Sequence, residues 1–251
     1  MNKNIINIDG FEIGGKDKVI IAGPCAIESK EQIMQTAEKL SKLGVKFLRG
    51  GAFKPRTSPY TFQGLGAKGL DYMREAADKY NMLIVSEIMD LNQLKAEFDR
   101  IDVIQVGARN MYNYSLLKEL GKINKPILLK RAFSATYEEW SLAAEYIISG
   151  GNDKVILVER GIRTFERSLR FTLDISAVPY MQKLTGLPVI VDASHAAGIS
   201  EYVLPLSKAG LAAGADGVMI EVHPNPESAL SDGNQAIKLD DIETFVYNLF
   251  N

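Results

Sequence analysis

Residues 45–80 read Val45-Lys46-Phe47-Leu48, then Arg49-Gly50-Gly51-Ala52-Phe53-Lys54-Pro55-Arg56-Thr57-Ser58-Pro59-Tyr60-Thr61-Phe62-Gln63-Gly64-Leu65-Gly66, then a helical pattern from Ala67 to Tyr80. The first part is a short apolar run, as a buried strand requires. The middle part cannot be a regular helix, because Pro55 and Pro59 break it and push Lys54 and Ser58 toward extended backbone. Gly50 and Gly51 permit a sharp turn or a close approach to a ligand. The loop carries three cations (Arg49, Lys54, Arg56) and no acid, with Thr57 and Ser58 as further donors. Such a stiff, cationic loop reads as a dock for phosphate or carboxylate, ahead of the alternative of a solvated surface turn. Strand, loop and helix together make one β/α unit.

The same unit recurs along the chain. Apolar runs stand at residues 19–23, 45–48, 83–87, 102–106, 126–130, 154–158, 187–191 and 216–221. Helical patterns follow near 30–43, 67–80, 91–99, 114–121, 136–149, 173–184, 203–213 and 241–250. Ser29 is a candidate N-cap for the first helix, with Gln32 three residues on and Gly44 as its stop. Continuous apolar strands are expected when both faces of a parallel sheet are buried. Eight such units predict a (β/α)8 TIM barrel. A doubly wound open sheet fits less well, since no Gly-x-Gly-x-x-Gly follows the first strand. Asn4-Ile5-Ile6-Asn7-Ile8 and Phe11-Glu12-Ile13 flank Asp9-Gly10, a two-residue turn signal. Residues 1–18 are therefore expected to form an N-terminal β-hairpin capping the barrel bottom, and residues 19–251 one catalytic barrel.

The 251 residues are 46% hydrophobic and 24% charged, which suits one full-sized core. The net charge of −2 provides no field for nucleic acid or an anionic membrane, so any anion site must be local. No secretory signal or membrane span is evident, and a cytoplasmic location is expected. With one cysteine, Cys25, no internal disulfide can form.

Barrel residues just past each strand face the catalytic end. Two groups stand there. One is cationic: Arg49, Lys54, Arg56, Arg109, Lys130 and Arg160. That many like charges at one rim repel unless anions neutralise them, and their number suggests more than one anionic group. The other is Cys25, His195, Glu221 and Asp232, from the first, seventh and eighth strands. Their mixed S/N/O donors suit one divalent ion such as Mn2+, Fe2+, Co2+ or Zn2+. A packed thiol and a structural histidine are the bland alternatives, and His223 is a candidate for a supporting or structural role.

Longer blocks carry a resemblance. Ile21-Ala22-Gly23-Pro24-Cys25, Leu48 through Ser58, Gln105-Val106-Gly107-Ala108-Arg109, Leu129-Lys130-Arg131, Glu159-Arg160-Gly161, Asp192-Ala193-Ser194-His195 and Glu221-Val222-His223-Pro224 resemble 3-deoxy-D-arabino-heptulosonate 7-phosphate (DAHP) synthases. The likeness is to the short, barrel-only branch related to 3-deoxy-D-manno-octulosonate 8-phosphate synthase. It implies condensation of phosphoenolpyruvate with erythrose 4-phosphate, the first step of the shikimate pathway to aromatic amino acids.

It also implies a metal at Cys25, His195, Glu221 and Asp232. Phosphoenolpyruvate would contact Arg49, Lys54, Gln105, Ala108, Arg109, Lys130 and Arg160, and erythrose 4-phosphate would contact Pro55, Arg56, Thr57 and Ser58. Lys130, Lys54, Glu87 and His195 would be the catalytic groups, with Lys130 as proton donor and Glu87 placing a water. A homotetramer or homodimer is implied as well. The family often has prolines within the run that reads Asp192-Ala193-Ser194-His195-Ala196-Ala197-Gly198 here, so a more pliable His195 loop is expected. No added regulatory or chorismate mutase segment is recognisable, which leads to an expectation of insensitivity to aromatic amino acids. The rival readings are arabinose 5-phosphate as acceptor, a Schiff-base aldolase using Lys130, and a non-catalytic phosphometabolite-binding barrel.

Overall fold

A computed structural model describes residues 4–55 and 58–251. The chain opens with strands β1 (Ile6–Ile8) and β2 (Phe11–Ile13), paired antiparallel in register Ile6 to Ile13. Asp9 and Gly10 both take positive φ, 48° and 88°, as a type I′ hairpin turn requires.

Eight parallel strands follow: β3 (Val19–Gly23), β4 (Phe47–Arg49), β5 (Leu83–Glu87), β6 (Val103–Val106), β7 (Ile127–Lys130), β8 (Val155–Glu159), β9 (Val189–Asp192) and β10 (Gly217–His223). Each pairs with the next, and β10 pairs with both β9 and β3, which closes the barrel. A two-residue strand, β11 (Ile237–Lys238), adds to β10 beyond the barrel.

Two cores follow from the period of two along each strand. Ile21, Phe47, Val85, Leu128, Ile156 and Met219 point into the barrel. Neighbouring residues such as Ile20, Leu48, Ile84, Ile127, Leu157 and Val218 point outward against the helices. Both faces are buried, hence the unbroken apolar runs. The inner core also contains Ile6, Ile8 and Ile13, so the hairpin plugs the end where the strands begin. Phe11 meets Phe47 edge to face, and Asn4 N–H bonds to Gly186 C=O at 2.8 Å.

The outer layer comprises α1 (Lys30–Lys42), α2 (Ala67–Tyr80), α3 (Leu91–Glu97), α4 (Tyr114–Leu120), α5 (Tyr137–Ile148), α6 (Ala177–Thr185), α7 (Ala193–Ala197), α8 (Val203–Ala212) and α9 (Ile242–Phe250). Ser29 caps α1 by accepting from Gln32 N–H, as expected. Among the described residues, no helix is long and apolar enough to cross a membrane.

Two elements differ from expectation. The sixth helix begins near residue 177 rather than 173, because Asp174 is pulled away to accept from Arg131 Nη1 (2.8 Å) and the Tyr137 hydroxyl (2.8 Å). The run from 193 to 197 is a helical turn, α7, instead of an open loop. Asp192 caps it by accepting from His195 N–H at 3.0 Å, Gly198 ends it at φ 72°, and Ala193, Ala196 and Ala197 are fully buried. Alanine is the strongest helix former, so this run folds as a turn of helix.

At the rim, Gly23 has φ 153°, and a Cβ there would lie 1.9 Å from Arg49 C=O. Gly23→Ala is expected to destabilise the protein by at least about 1–3 kcal/mol, the cost of one strained backbone position. A lowered urea midpoint would show it.

Candidate active site

The ends of the barrel strands bring together four side chains that could hold a metal ion. Cys25 follows β3 after Pro24, His195 sits on α7, Glu221 lies within β10, and Asp232 occupies a left-handed position (φ 53°) in the loop beyond. One donor atom from each lies within 4.8 Å of the others. Bonds of about 2.0–2.3 Å in a tetrahedral site place donors about 3.3–3.8 Å apart, so the quartet is close to the spacing a small divalent ion needs. A thiol, an imidazole and two carboxylates are transition-metal donors rather than a cage for Mg2+ or Ca2+.

The protonation states follow from burial and near charges. Burial and then Glu221 push the Cys25 thiol up to about 11. Burial pulls His195 down to about 4, so its imidazole is neutral at pH 7, as a ligand must be. Burial alone would raise Glu221, but His195 and Arg49 hold it below its usual range. Asp232 is likewise held low, against burial, by Arg170, whose Nη1 stands 3.1 Å from Asp232 Oδ2.

Above this floor the pocket is cationic, with a volume of about 360 Å3. Arg49 donates to Glu221 Oε1 (2.9 Å) and Pro24 C=O (2.7 Å). Lys54 Nζ reaches Cys25 C=O (2.8 Å) and Sγ (3.1 Å). Lys130 Nζ reaches Asp192 Oδ2 at 2.6 Å. The Arg160 guanidinium is stacked on Phe171 (4.1 Å) and Phe133 (4.9 Å), and Arg109 stands 5.4 Å over Phe133. Among the described residues, Arg160 Nη1 and Arg49 Nε find no hydrogen-bond partner and are buried. Leaving a donor unsatisfied costs about 1–3 kcal/mol, which a bound anion would offset. Burial lowers Arg160 to about 10, still charged at pH 7. On the far wall, Gln105 donates to Glu87 Oε2 at 3.0 Å. Gly107 packs against that carboxylate, where a Cβ would come within 2.2 Å of Glu87 Oε1.

Comparison with known proteins decides the lineage. Residues 3–249 match the model of the DAHP synthetase I family. The chain belongs to the DAHP synthetase I family. A phospho-2-dehydro-3-deoxyheptonate aldolase of Thermotoga maritima is 55% identical over 241 residues, covering 96% of this chain and 70% of that one. The crystal structure of the DAHP synthase from T. maritima superposes with TM-score 0.96 at 52% identity, over 99% of this chain and 73% of that one. A 2-dehydro-3-deoxyphosphooctonate aldolase of Geobacter sulfurreducens is 33% identical over 264 residues, with 97% and 96% covered.

Within this DAHP synthetase I chain, Arg49, Lys54, Gln105, Ala108, Arg109, Lys130 and Arg160 all line one pocket, together with Glu87, Pro55, Ser58, His195 and Asp232. Cys25 and Glu221 lie buried beside it. Arg56 and Thr57, expected on the acceptor phosphate, fall outside the described residues. His223 is not part of the quartet; it faces Glu28 in another cavity.

Several groups at the site were given no role by the sequence reading. Asp192 is fully buried, with Oδ2 2.6 Å from Lys130 Nζ and 2.7 Å from His195 Nδ1, the latter too oblique for an aligned hydrogen bond. It counters the burial and neighbouring cations that lower the Lys130 pKa. Its place in the Asp192-x-x-His195 run was a usable signal. Arg163, three residues past Arg160, was another. Arg170 and Gln235 gave none: they come from distant loops, and Gln235 donates to Glu221 Oε2 (2.8 Å) while accepting from Arg170 (2.7 Å).

Proposed function

We propose that this pocket carries out the family reaction with the residues assigned below. That reaction joins phosphoenolpyruvate, erythrose 4-phosphate and water into DAHP and phosphate, opening the shikimate pathway. The supporting observation is the division of one pocket into a four-donor floor and a wall of cations, two of which hold buried N–H groups with no partner among the described residues.

In this reading Arg109 and Arg160 hold the phosphate of phosphoenolpyruvate. Arg49, Lys54 and Lys130 hold its carboxylate end, and Gln105 and Ala108 complete the contact. Cys25, His195, Glu221 and Asp232 would hold a divalent ion (Mn2+, Fe2+, Co2+ or Zn2+), which when bound would supply Lewis-acid polarisation of the acceptor aldehyde. C3 of the enol phosphate attacks that aldehyde carbon, and positive charge develops at C2. Glu87, fixed by Gln105, orients the water that adds there and takes one of its protons. Lys130 delivers a proton to the former aldehyde oxygen and is recharged by the proton that Glu87 gives up. The hemiketal phosphate then breaks its C–O bond, and the C2 hydroxyl proton leaves with the phosphate as the ketone forms.

The deciding assay measures phosphate release from phosphoenolpyruvate with erythrose 4-phosphate or arabinose 5-phosphate, with and without EDTA. Release with erythrose 4-phosphate, lost on chelation, is expected. Preference for arabinose 5-phosphate would favour the octulosonate reaction; no release with either would favour a binding barrel.

Pro55 and Ser58 line the pocket mouth, which supports an acceptor role for the segment from Pro55 to Ser58. Arg56→Ala is expected to raise the acceptor KM about 10- to 100-fold, the loss of one charge-assisted contact of about 1.5–3 kcal/mol, with little change in the phosphoenolpyruvate KM. The reverse pattern would undo the division of the loop between substrates. A cytoplasmic location and assembly as a homotetramer or homodimer belong to the same reading. An exposed face bearing Tyr114, Leu142 and Tyr146 supports assembly, and a solution mass tests it.

A further inference from the structure

We propose that Glu28 is a positioning residue that fixes three of the four donor-bearing segments relative to one another. The proposal rests on the metal reading of Cys25, His195, Glu221 and Asp232, and concerns how this chain holds them.

Glu28 lies three residues past Cys25, and its side chain is 12% exposed. Its Oε1 accepts from Leu230 N–H at 2.8 Å, two residues before Asp232. Its Oε2 stands 3.3 Å from His223 Nε2, two residues after Glu221. The direction of this second bond is set by the other ring nitrogen. His223 Nδ1 accepts from Asn225 N–H at 3.0 Å, so the ring proton sits on Nε2 and is donated to Glu28. Glu28 is itself anchored: its N–H donates to Gln32 Oε1 (3.0 Å), and Gln32 Nε2 donates to Ala26 C=O (3.1 Å). One carboxylate therefore ties together the Cys25 turn, the end of β10 beyond Glu221 and the loop that carries Asp232.

The loop needs such a tie. Asp232 holds a left-handed backbone conformation that costs a non-glycine residue energy unless its surroundings enforce it. Cys25 Sγ to Ser231 Oγ, 2.9 Å, is a tie on the metal side, and Glu28 to Leu230 is one from behind. The Glu28–His223 pair faces a cavity of about 410 Å3 that shares no lining residue with the substrate pocket. Loss of Glu28 should thus disturb ligand placement without removing a substrate contact. Outer partners of metal ligands act in this way on affinity.

The test measures Mn2+ binding to the chelator-treated, full-length protein by calorimetry. Glu28→Ala is expected to weaken affinity about 10- to 100-fold, the range for outer-sphere partners. At saturating Mn2+, kcat should stay within about threefold of wild type, because the chemistry is untouched. Glu28→Gln should fall between the two, since its amide oxygen can serve only one of the two donors. A second measurement needs no variant: in the metal-free wild type, the Leu230 amide should exchange at least about 100-fold more slowly than an open amide. Wild-type affinity in Glu28→Ala, or an unprotected Leu230 amide, would overturn the proposal. A wild type that binds no Mn2+, Zn2+, Fe2+ or Co2+ would overturn the metal reading instead, with Leu230 exchange still reporting on the clamp.

Discussion

Lys130→Met is expected to lower kcat by about 10²- to 10⁴-fold, the usual contribution of a positioned proton donor, while Mn2+ affinity should stay near wild type. Lys130 stands at the end of β7, 4% exposed, with Nζ 2.6 Å from Asp192. Burial lowers its pKa, with the nearby Arg49 adding to the effect and Asp192 opposing it. A lysine so placed, ion-paired with Asp192 but lowered by burial, releases its proton more readily than one in water. Those are the properties wanted beside an oxygen that gains charge in the transition state. The ion pair also counts against a Schiff-base role, which requires a free amine. Methionine keeps the length and volume of the stem, so the loss reports on charge and proton rather than on packing. Steady-state kinetics with phosphoenolpyruvate binding measured separately would decide. A kcat within tenfold of wild type would remove Lys130 from proton transfer, and trapping by borohydride with substrate would restore the Schiff-base route.

Cys25→Ala is the second large effect. It leaves an imidazole and two carboxylates, without the soft donor that favours transition metals. Metal affinity should fall by more than about 100-fold, the upper figure for losing only an outer partner, and phosphate release should fall with it unless metal is supplied in excess. The same thiol sets a pH signature. Its pKa is raised to about 11, so it is protonated at pH 7 in the metal-free protein, whereas His195, lowered to about 4, is already neutral. Binding therefore expels one proton, from Cys25. Affinity should rise about tenfold per pH unit between roughly pH 6 and 9, and Cys25→Ala should flatten that slope. A wild-type affinity independent of pH over this range would mean that the thiol does not bind as thiolate.

The strands were legible because closing the barrel buries both faces of each, and a doubly buried strand is written as an unbroken apolar run such as Val155-Ile156-Leu157-Val158. The hairpin was legible because only residues tolerant of positive φ, here Asp9 and Gly10, form its turn. The start of α6 was misplaced because a partner 43 residues away, Arg131, captures Asp174. The turn α7 was missed because five residues are too few for a helical period to register. Among the site residues, those next to strand ends could be found. Arg170 and Gln235 reach in from loops whose course no local pattern specifies.

The sequence by itself determined the architecture and the reagents: eight β/α units, a thiol, an imidazole, carboxylates and a set of cations at the strand ends. Only the tertiary structure decided which of these share a volume. Closure sets β10 against β3 and so brings Cys25 within 3.4 Å of Asp232, 207 residues away. It also separated the two histidines, putting His195 among the four clustered donors and His223 behind them against Glu28. Asp192, quoted but given no role in the sequence reading, became the carboxylate between Lys130 and His195. The reason is that burial and charge act through distance in space, and spacing along the chain does not encode that distance.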